Sequence, residues 1–533
     1  MRKLFSRPIT SRRVIIAVSL FWVVFANASF FRHVWEVYPV SWAEHFETLT
    51  LSLVLVSVNI LILTLLTNRY IFKPVLILLL MVTSSVAYFM DAYDIIVDTH
   101  MITNVMETNV NESADLLSWK MSVYVFLLGL LPSWIVWRLN VHFMQLKKQF
   151  IQDLITVGAS LAVALITVFA FSKFYTSFFR EHKPLRFYAA PSFYMYSVGK
   201  KIADSFKHQY KGVEAIGMDA KGGTDTDGRR LVIVVVGEAA RWDHFSLNGY
   251  SRETNPLIQK ENIVNFTQFT SCGTETAVSV PCMFSSFGRE GYDGEKAKHT
   301  ENVLDVLKHA GVNVLWRDNN SDSKGVALRV DFEDYRTAKT NTVCDEECRD
   351  EGMLKGLQEY IDGHPKGDIV IVLHQMGNHG PAYYKRYPKS YEIFKPVCKT
   401  NQLEQCSQEE IRNGYDNAIL YTDFFLSKVI GLLKQNDNSF QTAMFYLSDH
   451  GESLGEKGLY LHGFPYSIAP EAQKHVPAVM WFGKTFPVNR EELSKRASSA
   501  YSQDYLFHTL LDIADVNTSV YKPDLDILHG LKP

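Results

Sequence analysis

Five stretches without a formal charge crowd the first third of this chain: residues 14–31, 48–68, 74–90, 121–137 and 154–172. No other feature limits the possible folds so tightly. Each run is close to the roughly 17–25 residues that a helix needs to cross a bilayer. A segment in hydrocarbon must satisfy its own backbone hydrogen bonds, and a helix does so. As buried helices of a water-soluble domain, the five would leave no polar outer surface. They are therefore read as five transmembrane helices. The first run follows the basic start "MRKLFSRPITSRR" and includes "ANAS", which has the look of a signal-peptidase site. The length of the run and the four spans behind it argue that it is retained.

Basic residues set the orientation. Arg2, Lys3, Arg7, Arg12 and Arg13 precede the first span, Arg69 and Lys73 lie between the second and third, and Arg138, Lys147 and Lys148 between the fourth and fifth. The loop after the third span has no Lys or Arg before Lys120 but carries Asp91, Asp94, Asp98, Glu107, Glu112 and Asp115. The amino terminus is thus expected in the cytoplasm and everything after Ser172 on the far side. All six cysteines fall there, at 272, 282, 344, 348, 398 and 406. An even count in an exported domain reads as disulfides. Nearest-neighbour pairing is the simplest arrangement: Cys272–Cys282, Cys344–Cys348 and Cys398–Cys406. Zinc on Cys344 and Cys348 competes poorly, because no further pair or histidine completes a ligand set.

With 533 residues, more than one domain is required. A net charge of −3, with no concentrated basic face, excludes a nucleic-acid binder. The expected division is a membrane domain at 1–172, a segment at 173–215, and an exported domain at 216–533. The middle segment mixes aromatic and basic residues, which suits either a membrane-surface element or a plain linker.

In the exported part, "LVIVVVGE", "VNVLWRDNN", "DIVIVLHQMG" and "TAMFYLSDHG" repeat one pattern, an apolar run with a polar end. Helix-like segments alternate with them. Continuous apolar strands between helices predict an α/β fold, with a mostly parallel sheet covered on both faces. Ligands of such sheets gather beyond the carboxyl ends of the strands. Those ends carry Glu238, Asp318 with Asn319 and Asn320, His374, and Asp449 with His450.

Glu238, Asp449 and His450 offer two carboxylates and an imidazole, a set that suits zinc better than Mg²⁺ or Mn²⁺. The field of such an ion would also ease the loss of a proton from a nearby alcohol. "SCGTETAVSVPCMFS" supplies one in Thr276. If Thr276 opens a helical turn, backbone N–H groups there would bind a phosphoryl oxygen. Pro281 is expected to keep that helix short or kinked.

Together with "VVVGEAARWDHFSLNGYSRETNP", "RDNNSDSKG", "NHGPAYYKRYP" and "LSDHGESLGEKGLYLHG", this stretch resembles the lipid A phosphoethanolamine transferases, a family that includes the mobile colistin-resistance enzymes. The resemblance spans essentially the whole chain. It implies a five-helix membrane domain and an alkaline-phosphatase-like catalytic domain at the periplasmic face of a Gram-negative inner membrane. It implies Thr276 as the nucleophile, with Glu238, Thr276, Asp449 and His450 around Zn²⁺. It also implies that His379 and His462 contact the phosphoryl donor or a second metal, that Glu452 assists there, and that Lys324 lies near the phosphate. Asn104, Thr108 and Glu112 recur every four residues, one face of a helix, and their counterparts contact the ethanolamine head group. The implied reaction is a ping-pong transfer of phosphoethanolamine from phosphatidylethanolamine to lipid A, with diacylglycerol released and binding of polymyxin-like peptides weakened. A monomer is expected. Another acceptor, a core sugar or a glycan, fits the same motifs. A sulfatase does not, because Cys282-Met-Phe lacks the C-x-P-x-R pattern.

Overall fold

The computed structural model describes residues 8–38, 42–108, 113, 116–180, 182–207, 212–223 and 228–532. Arg2, Lys3, Arg7, Glu112, Asp115 and part of the polar loop before Arg230 lie outside the described residues. Two compact units form. One comprises Met1–Ile102 with Leu117–Asp204, the other Thr103–Leu116 with Ser205–Pro533.

The first unit holds α1 (Ser11–Phe25), α2 (Ala28–Val37), α3 (Trp42–Leu66) and α4 (Phe72–Tyr93), and the short α5 (Thr99–Glu107) falls across the division at Ile102. The later spans are α6 (Trp119–Arg138) and α7 (Leu146–Ala170). Among the described residues, α3, α4, α6 and α7 are long and apolar enough to cross a membrane. The first expected span is instead a pair, α1 and α2, bent by 55°, so the total is four, or five if the pair counts as one span. The break has a polar anchor. Buried Asn27 donates to the carbonyls of Trp22 at 2.9 Å and Ala190 at 2.7 Å. Helix α4 ends at Asp94, whose buried carboxylate receives Arg32 at 2.7 Å and His33 at 2.8 Å.

The second unit is built on a seven-stranded sheet. Its strands are β1 (Arg230–Gly237), β2 (Ile263–Phe266), β4 (Asn313–Asp318), β5 (Asp331–Asp334), β6 (Ile369–His374), β7 (Gln441–Ser448) and β8 (Ala478–Phe482), and the short β3 (Phe269–Thr270) pairs with β9 (Tyr501–Ser502). The spatial order is β2-β8-β7-β1-β6-β4-β5. Only β8 opposes its neighbours. All eight residues of β1 are buried, as a strand covered on both faces requires.

One face, with Val232, Val234 and Val236, packs against α8 (Thr276–Phe284), α9 (Val303–His309) and α11 (Leu506–Ile513). The 29-residue α10 (Gln408–Asn436) packs beside β7 and buries Tyr415, Ile419, Phe425 and Leu433. Its start is fixed by a capping box in which Ser407 and Glu410 exchange hydrogen bonds. The disulfides are Cys272–Cys282, Cys344–Cys348 and Cys398–Cys406.

Candidate active site

Register brings the first two acids together. Gly237 at the end of β1 pairs with Ser448 at the end of β7, so Glu238 and Asp449 emerge side by side. The chain turns at once after Glu238, with Ala239 in the left-handed region at φ 53°. That conformation costs a non-glycine residue about 1–3 kcal/mol. Three contacts hold it: the Ala239 N–H donates to Asp449 Oδ1 at 3.1 Å, the Ala240 N–H to Ser448 Oγ at 2.8 Å, and the Tyr415 hydroxyl to the Ala239 carbonyl at 2.6 Å. Gly377, at φ 48°, lies against the same turn, and a Cβ there would come within 2.9 Å of the Glu238 carbonyl oxygen.

Thr276 is the first residue of α8 and is buried. Pro281 sits inside that helix, which continues to Phe284. The Thr276 hydroxyl donates to Glu238 Oε2 at 3.0 Å and lies 3.3 Å from His450 Nε2. The same Nε2 is 3.3 Å from Glu238 Oε1 and 3.3 Å from Asp449 Oδ2. Both of those carboxylate oxygens are buried and accept no hydrogen bond. A buried anionic oxygen with no donor is costly. Two of them, converging on one imidazole nitrogen and one alcohol, form the donor set that a divalent cation would satisfy.

Electrostatics agree. Burial pushes Glu238 up, but the charge of His450, 3.3 Å away, outweighs it and holds the carboxyl well below its usual range. Asp449 goes the other way, to about 7, through burial and the neighbouring Glu238 charge. Burial opposes the charged form of His450, yet Asp449 and Glu238 raise it to about 10. The pocket thus demands positive charge, and a metal ion would meet the same demand.

Around this centre, Glu452 and His462 face each other, with His462 Nδ1 3.2 Å from Glu452 Oε1. The His462 ring is 4.2 Å from that of His450 and 5.8 Å from that of His379. Glu238, His450 and His462 each present a ligand atom within 4.8 Å of the others. Burial raises Glu452 to about 8 against the pull of His450 and His379. Lys324 is buried in the loop after β4 and takes φ 51°. Cys272, Cys282 and Asp504 also cluster, but the two sulfurs are bonded to each other and offer no thiolate. Asn104 lies in α5, and Thr108 just beyond it donates to the Asn104 carbonyl at 2.7 Å.

Four supporting residues have no role assigned by sequence; Asn320, Asp318 and His374 stand out there only as polar groups at strand ends, and Gln503 not at all. Asn320 donates to Glu238 Oε2 at 2.8 Å and fixes that carboxylate. Asp318 and His374, on paired strands, form a buried contact at 2.8 Å behind it. Gln503 donates to the carbonyls of Ser448 at 2.7 Å and Asp449 at 2.8 Å, and accepts from the Cys272 N–H at 2.6 Å. One amide therefore ties the loop of the acid to the loop of the alcohol. A lone glutamine in "YSQDYLF" gives no sequence signal for that role.

Comparison with known proteins places this geometry. Residues 55–206 match the family described as "Phosphoethanolamine transferase EptA/EptB", and residues 230–516 match "Sulfatase". The chain is 44% identical over 518 residues to the phosphatidylethanolamine transferase Mcr-2 of Escherichia coli, covering 95% of each. The chain belongs to the phosphoethanolamine transferase family. It is also 38% identical to the phosphoethanolamine transferase EptA of Salmonella typhimurium, over 99% of this chain and 98% of that one. The solved structure of the integral membrane lipooligosaccharide phosphoethanolamine transferase A of Neisseria meningitidis superposes with a TM-score of 0.94 at 34% identity, over 99% of this chain and 100% of that one. The "Sulfatase" match describes the α/β domain that this transferase family shares. The protein is a membrane-anchored phosphoethanolamine transferase.

Proposed function

We propose that this protein transfers phosphoethanolamine from phosphatidylethanolamine to a phosphate of lipid A, through a phosphoethanolamine-threonine at Thr276. The observation that carries the reading is the placing of the Thr276 hydroxyl against Glu238 and His450 at the start of α8. The membrane domain is 1–172, with a surface segment at 173–215 and a periplasmic domain at 216–533. The protein acts as a monomer in the inner membrane of a Gram-negative cell.

Glu238, Thr276, Asp449 and His450 would hold Zn²⁺, the borderline ion that their mixed oxygen and nitrogen donors favour. When bound it would neutralise charge on the phosphoryl oxygens and make the Thr276 hydroxyl more acidic. In the first step the Thr276 oxygen attacks phosphorus, and its proton is released to solvent past Glu238 Oε2, which accepts its hydrogen bond. The bond from phosphorus to the diacylglycerol oxygen breaks, and diacylglycerol leaves with a proton from the His462–Glu452 pair. In the second step an oxygen of the acceptor phosphate attacks the same phosphorus and gives its proton to that pair. The Thr276 oxygen leaves and takes a proton back from solvent. Lys324 and His379 position the phosphoryl group, and Asn104, Thr108 and Glu112 receive the ethanolamine ammonium of the donor. Each transfer makes the lipid surface less anionic, which weakens its attraction for cationic peptides such as polymyxin.

Intact-mass analysis of the purified protein, with the adduct mapped to Thr276, tests the first step. Mass spectrometry of lipid A from expressing cells tests the second. A Thr276→Ala protein that still modified lipid A would rule the mechanism out. An adduct on Thr276 with unmodified lipid A would point to another acceptor, a core sugar or a glycan.

A further inference from the structure

Beside the metal-type cluster, and distinct from it, lies a groove of about 690 Å³ walled by Trp242, Gln268, Thr270, His475, Tyr501 and Tyr505 among others. Its volume falls within the range of small-molecule sites. The floor is aromatic. Trp242 stacks on His475 with ring centres 4.4 Å apart and planes 11° from parallel, and Tyr501 meets Tyr505 edge-to-face at 5.1 Å. Burial lowers the pKa of His475, so this ring is uncharged at neutral pH. The rim is polar, with Gln268 exposed and Thr267, Thr270 and Ser502 half-buried. Glu471 is the one full charge in the lining, and Lys474 neutralises it at 2.8 Å. The indole N–H of Trp242 is buried and donates to no acceptor.

This chemistry excludes an anionic head group, for which the groove has no cation, and a purely apolar chain, for which the rim is too polar. It suits a ligand with a flat C–H face and a circle of hydroxyls. Aromatic rings accept such a face, and their polar edges meet the hydroxyls. The walls belong to chain segments that also supply or brace the reacting centre. Trp242 follows Glu238 by four residues, and Thr270 precedes Thr276 by six. Ser502 adjoins Gln503, whose amide grips Asp449 and Cys272.

We propose that this groove is a saccharide subsite, which holds a neutral sugar ring of the acceptor while the group to be modified reaches Thr276. The inference deepens the proposed transferase reading and rests on it for the identity of the acceptor.

The test uses the full-length protein in detergent and the soluble probe di-N-acetylchitobiose. Saturation-transfer NMR is expected to show the probe bound by the wild-type protein and not by Trp242→Ala. In steady-state transfer the variant's KM for lipid A is expected to rise about tenfold, the worth of one lost aromatic stack. The rate of adduct formation from phosphatidylethanolamine serves as the internal control. Gln268→Arg, which obstructs the groove from its exposed rim, must reproduce the loss if Trp242→Ala proves poorly folded. Unchanged probe binding and unchanged KM in both variants would overturn the proposal. So would an equal loss in both half-reactions, or Trp242-dependent binding of a proline-rich peptide in place of the saccharide. If the wild-type protein forms no adduct on Thr276 yet binds the probe, the transfer mechanism fails and the saccharide site stands.

Discussion

The Nδ1 atom of His450 lies 2.8 Å from the carbonyl oxygen of Gly451. The contact leaves Nε2 turned toward Thr276, Glu238 and Asp449, the way an outer partner orients a metal-binding histidine. Gly451 itself is pinned. Its N–H donates to the Gln473 carbonyl at 3.0 Å, and a Cβ would stand 2.0 Å from the Ala472 carbonyl oxygen. Gly451→Ala must therefore push the two backbones apart and swing His450 with them. The expected result is zinc affinity lowered about 10–100-fold, the usual cost of disturbing such a partner. Metal titration by competition with a chelator dye checks it, and wild-type affinity in a folded Gly451→Ala protein would refute it.

Gln503→Leu removes the amide that joins the two halves of the centre. It removes the partner of the Ser448 carbonyl and of the Cys272 N–H, each at about 1–3 kcal/mol when buried, while the Ser279 hydroxyl still donates to the Asp449 carbonyl at 2.5 Å. A fall in thermal midpoint and a slower rate of adduct formation are expected together. A variant with a lowered midpoint but a normal adduct rate would confine Gln503 to stability alone.

Chelation of the purified enzyme is expected to abolish adduct formation. Zn²⁺ is expected to restore it and Mg²⁺ to restore little, because His450 supplies nitrogen to the donor set. Full recovery with Mg²⁺ alone would overturn the zinc assignment. Adduct yield by mass spectrometry is the readout.

His508 gives a pH signature away from the reacting centre. Burial, then the Lys522 charge, lowers it from 6.5 to about 4, and its Nδ1 accepts the Lys522 N–H at 3.1 Å. The folded state therefore prefers the neutral ring. Its contribution is whole above pH 6.5 and drains away as pH falls toward about 4. His508→Gln removes that dependence. The gap in thermal midpoint between wild type and variant should narrow across this window, and a constant gap would refute the assignment.

How far sequence alone reached differs by element. The apolar runs announced the membrane helices because hydrocarbon forbids charge over a fixed length. They hid the break between α1 and α2, since one buried Asn27 does not interrupt an apolar pattern. The polar ends of β1, β4, β6 and β7 marked where chemistry gathers, because parallel strands all deliver their carboxyl ends to one edge. The antiparallel β8 reads like the others, and only pairing reveals its direction. Asn320 and Gln503 act through amides that meet their partners across more than fifty residues of chain, a distance at which local pattern carries no information.

Because Glu238 and Asp449 hang from neighbouring, register-locked strands, the gap between their backbones is one interstrand spacing, about 4.8 Å, a gauge that side-chain choice elsewhere cannot reset. New chemistry at this edge must come from remodelled loops, while the spacing of the two acids stays as invariant as the sheet itself.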